Sequence, residues 1–340
     1  MALTTNRLKE LLKQIPNLRI GLIGDACVDI YWEADMRRSE LSREVPHYPL
    51  PVVNERFSLG GGSNVAANLV AEGLENLRFL TIAGQDWRGS ILKNLFNKIG
   101  LSTEDLVISD KIVTPAYCKP IRCGISNVRY EDPRLDFSNI EPVPEEVEAQ
   151  ILKNLDRIAG EVDLLIVCDQ LQNGCITPAV IARINELGKT LPVIVDSRDR
   201  IMQYENVIIK PNEVETARCL GLPPIATDDI AALTEAGATL SAKTNRPVVI
   251  TLGPVGAFWY ENGKTLLVPT YPAGPPIDFV GAGDSFLSGF SLAYAAHAAP
   301  DEALALGCLT STVTIKKIGV TGTASPKELE ALLASIEQKG

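Results

Sequence analysis

Short, nearly continuous apolar runs recur along the chain at 18–24 (LRIGLIG), 77–84 (LRFLTIAG), 163–169 (DLLIVCD), 191–196 (LPVIVD), 206–210 (NVIIK) and 246–253 (RPVVITLG). They are rich in Val, Ile and Leu and alternate little with polar residues, the pattern of strands covered on both faces. Between them lie segments of helical periodicity at 64–74, 87–99, 144–158, 177–189 and 227–243. Strand and helix alternating in this way predict an α/β fold of three layers, a mostly parallel sheet with helices on both faces.

Residues 30–58 and 112–137 break the rhythm with alternating β-type segments rich in Pro, Arg and Asp. Both follow an α/β unit. Two such insertions can pair outside the main sheet as a small β lid over its carboxyl edge, where open α/β sheets bind ligands. No repeat or Ser/Gly-rich linker divides the chain, so 1–340 is expected to be one domain carrying that lid. The carboxyl end is predicted helical at 283–298, about 301–317 and 326–337, the last with Ser325 as N-cap and Pro326 at the first position. The amino terminus reads as an amphipathic helix stopped before Pro16, without the apolar run of a secretion signal.

The composition, 46% hydrophobic and 22% charged over 340 residues, is that of a globular chain. A formal charge of −10 argues against duplex nucleic acid as a partner, because a phosphate backbone wants a basic face. A small phosphorylated molecule needs only a local basic site. No apolar stretch reaches the roughly 18 residues of a membrane span. Seven cysteines without a C-x-x-C pair, and two histidines, argue against a disulfide scaffold or a zinc site. Reduced, mostly buried thiols in a cytoplasmic protein are the expectation.

Gly263-Lys264-Thr265 looks like the end of a Walker loop, but the glycine that loop requires falls on Phe258. Asn262-Gly263 between VGAFWY and LLVP is instead a hairpin signal. No dinucleotide G-x-G-x-x-G follows the first strand, which runs into Gly24-Asp25-Ala26. Asp278-Phe279-Val280-Gly281-Ala282-Gly283-Asp284 precedes a helix, where Gly-Ala-Gly lets N–H groups face an anion. Asp284 at the mouth of such a site is repulsive unless it has a proton to take. Two readings of it stay open on this segment alone: a general base for phosphoryl transfer, or a capping Asp after a glycine turn. Gly60-Gly61-Gly62-Ser63-Asn64 opens another helix, either as a ligand loop presenting the Asn64 amide or as a tight loop only.

In order along the chain, Gly60-Gly61-x-x-Asn64, Asn212-x-x-Glu215, Thr251-Leu252-Gly253 with Gly256, and Asp278-x-x-Gly281-Ala282-Gly283-Asp284 resemble the signatures of the PfkB, or ribokinase-like, carbohydrate kinases. The resemblance runs from about residue 18 to 337. It implies a ribokinase-like fold and transfer of the γ-phosphoryl group of ATP to a sugar hydroxyl. It implies Asp284 as the base and Gly281, Ala282 and Gly283 as the anion hole. Asn212 and Glu215 would organise Mg²⁺ through water, and Thr251, Gly253 and Gly256 would line the nucleotide loop. Asp29, Gly60, Gly61 and Asn64 would hold sugar hydroxyls. Asp278 and the Val280 carbonyl would begin a K⁺ site, completed near Gly319–Thr323. On the residues alone, the favoured readings are Glu215 as a solvated helix charge and Asp29 as a turn residue.

Within the family, Gly24-Asp25 with Asp29, Tyr31-Trp32, Pro51-Val52-Val53, Arg134-Leu135-Asp136-Phe137 and Ala324-Ser325-Pro326 are similar to the heptose 7-phosphate kinases of lipopolysaccharide-precursor synthesis. That similarity implies Arg134 and Asp169 beside the substrate, D-glycero-D-manno-heptose 7-phosphate. There are departures. Their Asp-Tyr-x-Lys-Gly is Asp169-Gln170-Leu171-Gln172-Asn173-Gly174 here, and their Asp-Pro-Lys is Asp196-Ser197-Arg198. Arg198, Arg43, Arg122 or Arg129 would have to supply the missing charge. No nucleotidyltransferase segment is expected, unlike in bifunctional members. A fructokinase- or ribokinase-type kinase of another sugar is the alternative. A non-catalytic ligand-binding relative is a third reading, against which Asp284 and its glycine loop speak. Open lid edges call for cover, so a homodimer pairing lids through Val45, Val52 and Phe57 is expected.

Overall fold

The computed structural model describes residues 2–338. Helix α1 (Thr5–Gln14) begins at an N-cap Thr4 whose side chain accepts from the Arg7 amide, and stops before Pro16, which sits in the 3₁₀ turn that follows. Strand β1 (Arg19–Gly24) passes through one residue, Asp25, into β2 (Ala26–Asp35). Next come β3 (Val52–Gly61), α2 (Gly62–Ala71), β4 (Asn76–Gly84), α3 (Trp87–Lys98) and β5 (Leu106–Ser109). The strands β6 (Ala116–Cys123), β7 (Tyr130–Glu131) and β8 (Leu135–Phe137) follow. Alternation resumes with α4 (Glu145–Ala159), β9 (Leu164–Asp169), α5 (Pro178–Leu187), β10 (Val193–Ser197), β11 (Ile208–Ile209), α6 (Glu213–Leu220), α7 (Ile230–Thr244) and β12 (Val248–Thr251). A hairpin of β13 (Gly256–Glu261) and β14 (Lys264–Pro269) leads to α8 (Ala282–Ala295), α9 (Pro300–Thr314) and α10 (Pro326–Glu337).

The nine-stranded main sheet runs β14-β13-β12-β11-β10-β9-β1-β4-β5. All its pairings are parallel except those of the β13–β14 hairpin at one edge. Its strands read as continuous apolar runs because both faces are covered. Leu164, Ile166 and Cys168 of β9 point into one core with α2, α8 and α9, while Leu165 and Val167 point into another with α4, α5 and α7. Asn262 and Gly263 both take positive φ, 49° and 78°, so the turn between β13 and β14 is the hairpin the sequence signalled. Among the described residues no helix is long and apolar enough to cross a membrane.

A second sheet, ordered β3-β2-β6-β7 with β8 on β6, stands at the carboxyl ends of the main strands. It joins the two irregular regions, since β2 pairs antiparallel with β3 and parallel with β6. Its first part is longer than residues 30–58: it begins at Ala26, directly after β1, and ends at Gly61, while 39–51 carries no strand.

The seam between α2, α8 and α9 is polar although buried. Glu72, at the end of α2, is 1% exposed and accepts from Thr310 Oγ1 at 2.7 Å, and its other oxygen has no partner. Burial pushes its carboxyl up from 4.5 to about 8. A raised pKa means that the protonated form is the one the fold tolerates. Its contribution is complete below the unfolded value and is lost as pH rises through about 8. Glu72→Gln keeps the acceptor for Thr310 and removes the titration. Between pH 5.5 and 8.5 the wild type should lose on the order of 3 kcal/mol more stability than the variant, read from urea midpoints. Equal losses in the two proteins would contradict this account.

Candidate active site

Two helix starts meet above the centre of the sheet. α8 begins from Gly281, whose φ of 78° is left-handed, and a Cβ there would lie 2.7 Å from Asn64 Nδ2. α2 begins from Gly61, φ 57°, where a Cβ would lie 2.5 Å from the Asp25 carbonyl. Glycine is demanded at both positions by the backbone and by the close approach. The glycine turns bring the side chains of the first helical turns together, and Asn64 Nδ2 donates to Asp284 Oδ2 at 2.8 Å. Burial pushes the Asp284 carboxyl up to about 6 against that hydrogen bond; Asp196 and Asp29 add to the rise and Lys210 opposes it. Gly283 in the same turn is exposed; the Ala282 amide, expected in the anion hole, already donates to the Phe279 carbonyl at 3.1 Å, while the next N–H groups of α8 have no carbonyl one turn earlier to bond. Such an arrangement can hold an anion beside a carboxylate able to take a proton.

On one side of Asp284 lie the residues that can face a polyphosphate. Lys210 is buried and pairs with Asp196 at 3.1 Å. Burial opposes its charge, but Asp196, Glu215 and Asp284 outweigh burial and hold the ammonium form. Asn212 and Glu215 form a capping box at α6: the Glu215 amide donates to Asn212 Oδ1 at 2.8 Å and the Asn212 amide to Glu215 Oε2 at 2.9 Å. Glu215 is therefore no solvated charge. Burial, then Asp196, pushes its carboxyl up. Thr251 bridges to Asn212, and after it a 3₁₀ turn runs Gly253–Val255. Gly253 has φ 52°; Gly256 has φ 128°, and a Cβ there would overlap the Val268 carbonyl, so the hairpin itself requires this glycine. Asp278 accepts from the Val280 amide at 3.0 Å and from the Gly319 amide at 2.8 Å, which joins the two loops expected at the K⁺ site.

On the other side lies Asp29, in β2, 6% exposed and paired with Lys119 of β6 at 3.2 Å. Burial pushes its carboxyl up, against the pull of Lys119, Arg134 and Arg56. A Cβ at Gly60 would come within 3.1 Å of Asp29 Oδ2, so Gly60 leaves room for that carboxylate. Arg134 is clamped by Asp136 at 2.6 and 2.7 Å and lies over the Tyr117 ring at 4.3 Å. Arg198 is near enough to Tyr117 to act on its hydroxyl. Of the other arginines considered, Arg122 pairs with Asp132, Arg129 pairs with Glu33, and Arg43 is exposed in 39–51.

Asp169 differs from expectation. It is 2% exposed and takes the Ser197 hydroxyl at 2.7 Å, the Tyr204 hydroxyl at 3.0 Å and Arg200 Nε at 3.1 Å. It braces the ends of β9 and β10 instead of presenting an oxygen to a sugar. Lys119, partly buried, and Lys210, buried, are ammonium groups of the cleft that the motifs did not single out. Their one legible signal was position, each being a lysine inside or at the end of an apolar β run.

The family model of the pfkB family carbohydrate kinases matches residues 25–328. The chain belongs to that family. Curated relatives include the Bifunctional protein HldE of Trichlorobacter lovleyi, 27% identical over 96% of this chain and 65% of that protein. That of Hyphomonas neptunium is 29% identical over 97% of this chain and 66% of that protein. The chain thus spans about two thirds of the length of these relatives. Phosphofructokinase-2 from Escherichia coli in complex with potassium has TM-score 0.73 and 18% identity over 94% of this chain and 99% of that one. Ribokinase of Arabidopsis thaliana, complexed with ribose and ATP, has TM-score 0.69 and 18% identity over 93% and 98%. The fold is ribokinase-like, and the protein is a sugar kinase, a phosphotransferase with an alcohol group as acceptor.

Gly281→Ala adds a Cβ where Asn64 Nδ2 now sits and strains a left-handed backbone. It should lower kcat for ADP release on the order of 10²-fold, the usual effect of spoiling an oxyanion site. The thermal midpoint, measured in parallel, checks the fold. Activity within threefold of wild type would refute the close-approach argument.

Proposed function

We propose that the protein transfers the γ-phosphoryl group of ATP to a hydroxyl of an already phosphorylated sugar, of which D-glycero-D-manno-heptose 7-phosphate is the leading candidate. The observation that carries this reading is the Asp284 carboxylate, held by Asn64 at the start of α8 beside N–H groups free to face an anion. Asp284 takes the proton of the attacking hydroxyl as its oxygen bonds to the γ-phosphorus. The bond from that phosphorus to the bridging oxygen of ADP breaks, and the N–H groups of Gly281 and Gly283 meet the charge on the transferring group, the Ala282 amide being held by the Phe279 carbonyl. Asp29, Gly60, Gly61 and Asn64 orient the sugar, and Thr251, Gly253 and Gly256 border the nucleotide.

The residues fit Mg²⁺ by charge. Asp196, Glu215 and Asp284 surround one ammonium, that of Lys210, which leaves an excess of negative charge where the polyphosphate must lie. Among the described residues no three His, Cys, Asp or Glu side chains are grouped to hold a metal alone. Asn212 and Glu215 would therefore hold Mg²⁺ through water, with the phosphates as its other ligands. When bound, the metal neutralises phosphate charge. Asp278 and the Val280 carbonyl would hold K⁺. Lys119, Arg56, Arg134 and Arg198 make the sugar end cationic on a chain of charge −10, which supports a phosphorylated substrate. The exposed side chains of Val45 and Val52, though not Phe57, which packs partly buried against the core, support a homodimer through the second sheet acting as a lid. ATP as donor and free cysteines fit a cytoplasmic enzyme.

The test is ADP release from MgATP across heptose 7-phosphate, fructose 6-phosphate, fructose and ribose. The phosphorylated sugars should turn over best, and Asp284→Asn should cost on the order of 10²–10⁴ in kcat while ATP still binds. Turnover that survives Asp284→Asn removes the base. Preference for free ribose or fructose removes the phosphorylated substrate and leaves a ribokinase- or fructokinase-type enzyme. Light scattering at micromolar concentration should read a dimer; a monomer contradicts the lid pairing.

A further inference from the structure

Asp25 is the one residue between β1 and β2, and it is 3% exposed. A carboxylate buried this deeply is costly unless every oxygen is engaged. Here Oδ2 accepts from the amides of Gln170 at 2.9 Å and Leu171 at 2.7 Å, and Oδ1 from that of Cys175 at 2.6 Å. Its own amide donates to the Cys168 carbonyl at 3.1 Å, and its carbonyl accepts from the Gly62 amide at 2.8 Å. Five hydrogen bonds from one residue thus tie together the end of β9, the loop 170–175 and the glycine turn that starts α2. The packing leaves no slack. A Cβ at Gly174 would overlap Asp25 Oδ1, and one at Gly61 would reach the Asp25 carbonyl.

The tied loop borders the cleft. Gln170, Leu171 and Gln172 line a cavity of about 360 Å³ together with Asp169, Arg198 and Arg200, and Arg200 Nη2 donates to the Leu171 carbonyl at 3.1 Å. Arg198 in turn acts on Tyr117, beneath Arg134, at the cationic end of the site. This is also the loop whose residues depart from the lysine-bearing stretch of the heptose 7-phosphate kinases. We propose that Asp25 is a positioning residue for the sugar substrate, fixing the 170–175 wall of the cleft to the Gly60–Gly62 turn so that both faces of the sugar site form together. The proposal rests on the kinase reading for its consequence in catalysis, but not for the tether itself.

Asp25→Asn tests it on the full chain. Asn offers one acceptor and one N–H₂ group, so at least one of the three amides loses its partner and faces a donor. Amide exchange in 170–175 should accelerate at least tenfold, with β9 and α5 unchanged. With D-glycero-D-manno-heptose 7-phosphate as the varied sugar, its KM should rise about tenfold while the KM for MgATP stays within twofold. Gly174→Ala, which presses on the same oxygen from the loop side, should give the same split, and it serves if Asp25→Asn does not fold. Unchanged exchange in 170–175 overturns the tether. A rise of both KM values together overturns the positioning role in favour of general loosening. A wild type silent toward this sugar defeats the proposed substrate, and exchange then decides the tether alone.

Discussion

The contact on which the site depends is the hydrogen bond from Asn64 to Asp284, made across 220 residues of sequence. It needs both glycine turns, because any larger residue at 281 would occupy the place of the Asn64 amide. It also needs α2 and α8 packed side by side on the same face of the sheet, which their apolar residues secure. A carboxylate in this position has lost much of its water, and a single neutral amide does not replace it. The group is therefore held at the point where accepting a proton is easy. The same burial that raises its basicity sets it beside the N–H groups of α8, where the developing charge of a phosphoryl group would fall. In the proposed reaction, base and anion hole are two aspects of one helix start.

Charge divides the cleft into unlike ends. Toward α6, three carboxylates share the one ammonium of Lys210, an excess of negative charge that the proposed Mg²⁺ would offset. Toward the second sheet, Lys119, Arg56 and Arg134 lie around Asp29, with Arg134 also paired to Asp136, and Arg198 stands by Tyr117. A neutral sugar would leave that excess uncompensated. The anionic group of the proposed sugar phosphate would meet it directly, with Arg134 held in place by Asp136 and the Tyr117 ring.

Much of the main sheet was legible because strands buried on both faces leave an unmistakable apolar signature, and the helices between them are long enough to show their period. The hairpin at Asn262-Gly263 was legible for a local reason, since two adjacent positive φ values suit those residues. The second sheet was legible as a departure from the rhythm but not in its bounds. β2 continues β1 after one residue, and nothing in an apolar run marks where it changes sheets. The glycine motifs located Asp284 and Asn64, but not that they touch. Asp169 shows the opposite limit. The similarity to the heptose 7-phosphate kinases suggested a substrate contact, yet three neighbouring side chains consume its oxygens. Pairings such as Lys119 with Asp29 and Lys210 with Asp196 join distant segments, and no local pattern encodes them.

The central claim is that Asp284 must be unprotonated to start the reaction, and that its surroundings hold its carboxyl at about 6. The most direct measurement is the pH dependence of kcat/KM for the sugar phosphate at saturating MgATP. The account predicts an acid limb with an apparent pKa near 6, the rate rising tenfold per pH unit below it and levelling above. A profile flat from pH 5 to 8, or one whose acid limb persists unchanged in Asp284→Asn, would contradict it.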